Sequence, residues 1–531
     1  MSNTLTASPA ALSMPMPPDT VPLRTWVAVM AGLLGAFMAV LDIQITNASL
    51  RDILGTLSAT QEEGSWISSA YLVAEIIVIP LAGFMATVFS TRRYLLVNVV
   101  LFLTFSTLCG IAWNLESMIV FRGLQGFTGG VLIPMAMTLV TRKLPLAKRP
   151  IGLALFGMTA TLAPTLGPTV GGYLTSLYGW PSIFYINWVP GLLMLAGLAW
   201  GLDREPMNLR LLRSADWPGI AVMAIGLGSL TAMLEEGNAK DWFDSNFIRI
   251  TATLAVAGIG AWIWRGFTRK DSFIDLRVFT RPSFMIAAIV AFTTGLGLYG
   301  SAFMLPLFLG QIAGYTPMQI GMVIMWVGLP QLFIMPIAAK LSTQVDNRVL
   351  LTVGLVMFAT SCFMNVHMSA ETAGPELWAA NIVRALGQPL IMVTISNFAT
   401  QGVPMAQLSS SSGMFNMMRN LGGSVGIATL ATMLTNREHF HSARIGEAVS
   451  LYDTATQSRL DTLAQNFIAR GADSSAAQDM AMRALDNVVR RESFVMAYND
   501  AFMVLGVSLL LCLFFVWMGK RVMGGAGAGA H

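Results

Sequence analysis

Gly167-Pro168-Thr169-Val170-Gly171-Gly172 sits near the end of an apolar run spanning 150–175, which also holds Ala154, Ala163 and Pro164. A helix must carry about 20 mostly apolar residues to cross a bilayer, and this run is long enough. Small residues let helices approach closely, and proline bends the axis. The stretch therefore reads as a bent, tightly packed membrane helix at a bundle interface. Counting this one, the chain holds about fourteen runs of this kind. They lie at 26–46, 66–88, 94–113, 117–140, 150–175, 182–201, 217–234, 247–267, 283–309, 317–340, 348–367, 375–400, 409–434 and 498–519.

Composition agrees. Of 531 residues, 55% are hydrophobic and 11% charged, and the mean hydropathy is +0.64. Soluble chains carry about a quarter charged residues, so lipid is the main solvent here. The net charge of +4 and the scatter of basic residues between apolar runs give no nucleic-acid surface. Cys109, Cys362 and Cys512 all lie in apolar runs, so no disulfide framework is expected. No Cys/His cluster has metal-ligand spacing, so no metal is expected. There is no G-x-x-x-x-G-K-[ST] phosphate loop and no nucleophile–base constellation. Energy must then come from an ion gradient rather than a bound nucleotide, and no cofactor is expected.

Loop charge sets the orientation. With the N-terminus inside, roughly 19 basic residues fall in inner segments, among them Arg24, Arg142, Lys143, Lys148 and Arg149. The outer segments hold about three: Arg51, Lys240 and Arg249. The alternation supports an even helix count with both termini cytoplasmic. Residues 1–25 lack the basic start of a signal peptide and read as a cytoplasmic tail. Residues 521–531 read as a flexible one. Between the last two spans, 436–497 is polar yet helically periodic, through Leu460, Leu463 and Phe467 and then Met480, Ala484, Leu485, Val488 and Val489. It reads as an outer helical hairpin split near Gly471–Ser475, a candidate docking surface. A disordered loop is the alternative.

Charges inside apolar spans are costly and default to functional hypotheses. Asp42 lies in the first span and Glu75 in the second. A carboxyl in a low-dielectric site can load and release a proton near neutral pH, so these two are the candidate proton carriers. Asp42 has a structural alternative, a helix-terminal carboxylate bonded to backbone amides. Arg122, near the start of the fourth span, either snorkels to the interface or pairs with a buried carboxylate. Arg384 lies in the twelfth span. Arg419, in the thirteenth, reads as a helix anchor. Glu235 and Glu236 end the seventh span, near the outer surface.

These residues together resemble the major facilitator superfamily. The run 167–172 is similar to the antiporter motif of its exporters, with Gly167, Pro168, Gly171 and Gly172 in place. Leu41-Asp42-Ile43-Gln44-Ile45-Thr46-Asn47-Ala48 resembles the first-helix motif of the fourteen-helix drug:proton antiporters. Arg122, Gly123, Gln125 and Gly126 match a fourth-helix motif whose arginine the resemblance implicates in proton coupling. Pro145, Lys148 and Arg149 match the segment before the fifth span. Asp241-Trp242-Phe243, Ile274-Asp275-Leu276 and Arg419-Asn420-Leu421-Gly422-Gly423-Ser424 resemble the EmrB/QacA family, and Thr435-Asn436-Arg437-Glu438 with the hairpin is most similar to its EmrB type. One motif departs. The loop after the second span reads Gly83-Phe84-Met85-Ala86-Thr87-Val88, so Thr87 stands where the family carries a gating acid, while Arg92 and Arg93 remain.

The resemblance implies an all-α integral membrane protein of the major facilitator fold. It would have two six-helix bundles (26–201 and 282–520) and two additional transmembrane helices within 202–281. It implies proton-coupled export of hydrophobic or amphipathic toxic compounds across the inner membrane. In that family a periplasmic adaptor protein and an outer-membrane channel are the expected partners. A narrow-substrate exporter, of a fatty acid, siderophore or antibiotic, is the first alternative. A non-transporting membrane sensor on the same fold is the second.

Overall fold

A computed structural model describes residues 21–145, 147–268, 276–400, 403–404, 407–450 and 452–518. The tail at 521–531, most of 1–25, and Ile274 and Asp275 of one family motif lie outside the described residues.

The described chain is built of helices. Those crossing the bundle are α1 (Leu23–Ala48), α2 (Gln61–Val78 continuing as Ala82–Phe89), α3 (Thr91–Gly110), α4 (Leu115–Lys143), α5 (Arg149–Tyr178) and α6 (Ser182–Gly201). Next come α7 (Trp217–Glu236), α8 (Asn246–Thr268), α9 (Pro282–Gln311), α10 (Pro317–Gln344), α11 (Asn347–Met364), α12 (Trp378–Thr400) and α13 (Leu408–Ala448). The polar helix α14 (Thr454–Ala469) and the long α15 (Ser474–Met518) complete the chain. By length and apolarity, 11 helices qualify as spans, or 13 with two bent pairs. The remaining predicted run, 409–434, is the part of α13 that carries Arg419 and Asn420.

Local chemistry explains several of these boundaries. α2, α4 and α10 each open with a capping box. In α4 the Ser117 N–H donates to Asn114 Oδ1 (2.8 Å) while the Asn114 N–H donates to Ser117 Oγ (3.3 Å). The predicted span 66–88 is not straight. Its two parts meet at 61° across Ile79-Pro80-Leu81, where Pro80 can donate no helical hydrogen bond. α5 carries Pro164 and Pro168 in its interior, and its parts Arg149–Pro164 and Leu166–Tyr178 meet at 44°.

Packing repeats along the chain. α1 packs on α5 and α6, α2 on α4, and α3 on α4 and α6. Eight helices later the pattern recurs: α9 packs on α13 and α15, α10 on α12, and α11 on α12 and α15. That is a parallel repeat of six helices. α7 and α8 pack on each other, and α7 also lies against α2 and α13, one from each repeat. Large apolar side chains such as Val97, Leu193, Val256, Phe333 and Phe514 stay exposed around the bundle, as expected where lipid is the solvent.

The hairpin region is not a separate element. α13 runs past its apolar stretch to Ala448, and α15 begins at Ser474, so the two arms continue the bundle helices, with α14 packed on α15. The turn lies at Gly471, whose φ of +97° favours glycine. Asp500 holds the base, accepting from Arg437 Nε (2.6 Å) and lying 2.7 Å from His441 Nε2.

Candidate functional site: a buried ion pair beside an acidic cavity

Asp42 lies on the inner face of α1 and is 1% exposed. Its oxygens do not meet backbone amides at a helix end. Oδ2 pairs with Arg122 Nη1 at 2.6 Å, while Oδ1 accepts from Gln125 Nε2 (2.9 Å) and Asn187 Nδ2 (2.6 Å). Arg122 does not snorkel. It is fully buried, stacks over Tyr71 with 4.4 Å from Cζ to the ring centroid, and donates to Gln125 Oε1 (2.8 Å) and Ile67 O (3.3 Å). The motif residues Arg122 and Gln125 sit three apart on one helix face, so both reach the same carboxylate. Gly126, one residue on, lets α4 lie against α2: a Cβ there would stand 2.3 Å from Tyr71 O.

The predicted antiporter motif packs α5 against α1 on the same side. A Cβ at Gly167 would lie 2.3 Å from Gln44 Cβ, and one at Gly171 would lie 3.0 Å from Ile45 O. Gly172 is half-buried. Pro168 faces a cavity of about 410 Å³ between the two repeats. This cavity runs from mid-bundle toward the hairpin side, past Asn47 at the end of α1, Glu235 at the end of α7 and Ile320 at the start of α10. Toward the side where the termini lie, the repeats are in contact. Ala154 of α5 clusters there with Met335, Ala338 and Ala339 of α10 and Val393 of α12. Asn416 of α13 reaches Met137 Sδ of α4 at 3.6 Å.

Glu75 lines the cavity from α2 and is 2% exposed. Its Oε1 accepts from Asn420 Nδ2 at 3.0 Å, a hydrogen bond from one repeat to the other. Its Oε2 is buried with no hydrogen-bond partner among the described residues. Arg419, read above as a helix anchor, lies inside the bundle. It is 2% exposed, lies over Phe156 (5.7 Å), and is within electrostatic reach of Glu75 and Tyr299. Glu235 and Glu236 end α7 as predicted, on the hairpin side, but they face inward. Glu235 lines the cavity, and Glu236 is fully buried, accepting from Ser65 Oγ (2.8 Å) and Ser69 Oγ (2.9 Å) of α2. Sequence reading missed Asn187, the one amide in the apolar run 182–201. It also missed Glu235 as part of a cavity.

The predicted gating loop is held by other contacts. Arg92 Nη2 donates to Ala199 O (2.7 Å), Thr87 Oγ1 returns to Gly83 O (3.0 Å), and Arg93 is exposed. Nearby, Asp203 pairs with Arg24 (3.0 Å) and Lys143 (3.7 Å). Cys109, Cys362 and Cys512 are buried free thiols.

A multi-pass bundle of two six-helix repeats around a central cavity defines a membrane transporter, and the sequence places it further. The sequence model of the Major Facilitator Superfamily matches residues 32–427, so the chain belongs to that superfamily. It is 34% identical to the colistin resistance protein EmrB of Acinetobacter baumannii, over 94% of this chain and 98% of the relative. It is 31% identical to the multidrug export protein EmrB of Escherichia coli, over 94% and 96%. Identity to the fatty acid resistance protein FarB of Neisseria gonorrhoeae is 29%, over 97% and 100%. The chain is thus of the EmrB type within the superfamily. Among solved structures it resembles the proton:xylose symporter XylE (TM-score 0.61, 13% identity, 95% of this chain and 97% of that one). It also resembles the human organic anion transporter MFSD10 (TM-score 0.59, 12% identity, 93% and 100%). Both likenesses concern the fold.

Proposed function

We propose that the protein is a proton-driven exporter of hydrophobic and amphipathic toxic compounds across the bacterial inner membrane, with both termini in the cytoplasm. The cavity then faces the periplasm, and the contacts around Met335 and Asn416 close the cytoplasmic side. The observation that carries the reading is Glu75. Its carboxyl lines the cavity, bridges the repeats through Asn420, and keeps one oxygen without a partner. A proton can be added there without breaking an ion pair. Asp42 is already neutralised by Arg122, so it serves as the fixed partner of the α4 arginine in this conformer and can take up a proton only when the pair opens.

In this reading a proton from outside loads the cavity carboxyls and substrate leaves. The repeats then rock about the α5–α10 and α4–α13 packing between them, and the proton is released inside as new substrate binds. The hairpin of α13, α14 and α15 would project into the periplasm and meet an adaptor protein that leads to an outer-membrane channel. The names of the EmrB relatives support the multidrug reading. The name of FarB favours a second one, in which the substrate range narrows to amphiphiles with an acid head.

The test is dye uptake into energised inside-out vesicles. Uptake by the wild type should collapse with an uncoupler. Glu75→Gln keeps an oxygen for Asn420 but cannot carry a proton, so uptake should fall at least about tenfold. Wild-type, uncoupler-sensitive uptake by Glu75→Gln would remove Glu75 from the proton path.

A further inference from the structure

Besides Arg419, which has Glu75 within electrostatic reach, Arg384 of α12 is the buried cation that the export cycle above does not use. It is 9% exposed, and among the described residues no hydrogen bond or ion pair reaches it; its Nε is fully buried without a partner. Its nearest support is the Phe358 ring, 5.3 Å from Cζ. A buried charge is stable only when something neutralises it, so an unpaired buried guanidinium marks a missing anion.

The repeat shows what is missing. α9 packs on α12 as α1 packs on α4. Counted from the first helical residue, Asp42 is 42 − 23 = 19 places into α1, and Ser301 is 301 − 282 = 19 places into α9. Where the first repeat sets a carboxylate against Arg122, the second sets a hydroxyl against Arg384. Ser301 and Arg384 line one small pocket of about 20 Å³, room for one carboxylate oxygen with the rest of the head toward the main cavity.

Of the other polar groups in that pocket, Thr161 spends its hydroxyl proton on its own helix, and Gln388 is a free donor. Gln331 Nε2 donates to Val327 O (2.7 Å) and to Gln388 Oε1 (2.9 Å), which fixes the Gln388 amide and leaves its buried Nε2 without an acceptor. Arg384 and Gln388 therefore present unpaired donors to a pocket with no carboxylate in its lining. Ala302 and Pro306 of α9 line this pocket on one side and the main cavity on the other. The acidic wall of the main cavity comes from α2 and α7, on different helices from the donors.

We propose that Arg384 and Gln388 form an anion subsite that takes the carboxylate head of an amphiphilic substrate, with the apolar body of that substrate in the main cavity. A guanidinium holds a carboxylate through two parallel hydrogen bonds, which suits this head better than a spherical ion. The subsite deepens the export reading by naming a substrate class, and it rests on the main cavity being the transport site.

The test is equilibrium binding of radiolabelled dodecanoate to the full-length protein in nanodiscs, with methyl dodecanoate and chloride as competitors. No gradient is applied, so a failure of proton-driven transport would leave this measurement standing. The wild type should bind dodecanoate and prefer it over the ester by at least about tenfold. Arg384→Gln should weaken dodecanoate at least about tenfold while the ester is unaffected, and Arg384→Lys should recover part of the loss. Ser301→Asp supplies the carboxylate from within, copying Asp42 against Arg122. It should abolish the preference for the acid without the unpaired charge that could unfold a variant. Four results would overturn the proposal: no dodecanoate binding by the wild type, unchanged binding in Arg384→Gln, equal weakening of acid and ester, or chloride displacing dodecanoate as tightly as dodecanoate itself binds.

Discussion

Asp42→Asn is the most informative single change, because it alters the charge of one atom pair and almost no volume. Read along the chain, it is a clean proton-carrier knockout. In the structure it is also a stability mutation. Arg122 is fully buried, and Asp42 Oδ2, 2.6 Å away, is its only carboxylate partner among the described residues. Asparagine can still offer one oxygen to Gln125 Nε2 and Asn187 Nδ2, but its amide nitrogen then faces the donor Arg122 Nη1. Removing one partner of a buried ion pair costs about 3–5 kcal/mol, mostly from the charge left behind. Gln125 Oε1 and Ile67 O still accept from Arg122, which puts the expected loss near the lower end of that range. Asp42→Asn should therefore unfold at a clearly lower temperature in detergent and show no uncoupler-sensitive transport. Asp42→Asn with Arg122→Gln removes both charges, so it should regain most of the stability and none of the coupling. Thermal unfolding and vesicle uptake on the three proteins separate the two effects. A single variant as stable as the wild type would refute the argument that the pair neutralises a charge with no other counter-ion. Coupled transport by the stable double variant would refute the role of Asp42.

Two further changes test other parts of the bundle. Gly167→Val forces a branched side chain into a place where even a Cβ lies 2.3 Å from Gln44 Cβ, so it should cost about 1–3 kcal/mol and reduce transport, whereas Gly172→Ala at a half-buried position should do neither; unfolding temperature and dye uptake decide it. Replacing 449–473 by a flexible linker removes α14 and its turns but leaves α13 and α15 whole. Vesicle uptake should persist while resistance in cells is lost, and survival of resistance would remove the hairpin from any docking role.

Much of the bundle was legible because membrane helices are specified locally. Run length is a property of neighbouring residues, and the small-residue pattern at 163–172 announced a tight helix contact without naming α1 as its partner. What was not legible depends on which helix faces which. Pro80 lies within an apolar run, and only the observed course of α2 shows that the axis turns there. α13 runs past its apolar stretch to Ala448 because polar residues can continue a helix once packing has nucleated it, and no apolar periodicity marks that extension. Asn187 carried the signal of a lone amide in an apolar span, but its meaning rests on a contact 145 residues away.

The arginines make the same point more sharply. Arg122, Arg384 and Arg419 are alike in sequence, each a cation inside a predicted span, and each is buried. They differ only in what lies across from them. Arg122 meets a carboxylate 80 residues earlier and is neutralised by the protein itself. Arg419 shares its surroundings with Glu75, so the charge it feels changes whenever that carboxyl gains or loses a proton. Arg384 meets a serine where its repeat-mate meets an aspartate, so its counter-charge must come from outside the chain. A fixed pair, a cation within electrostatic reach of the proton site and an unpaired cation beside the transport cavity are the three electrostatic parts that exchange of a proton for an anionic amphiphile requires. It follows that the charge of the cargo is set mainly at position 301, opposite Arg384, and hardly at Asp42.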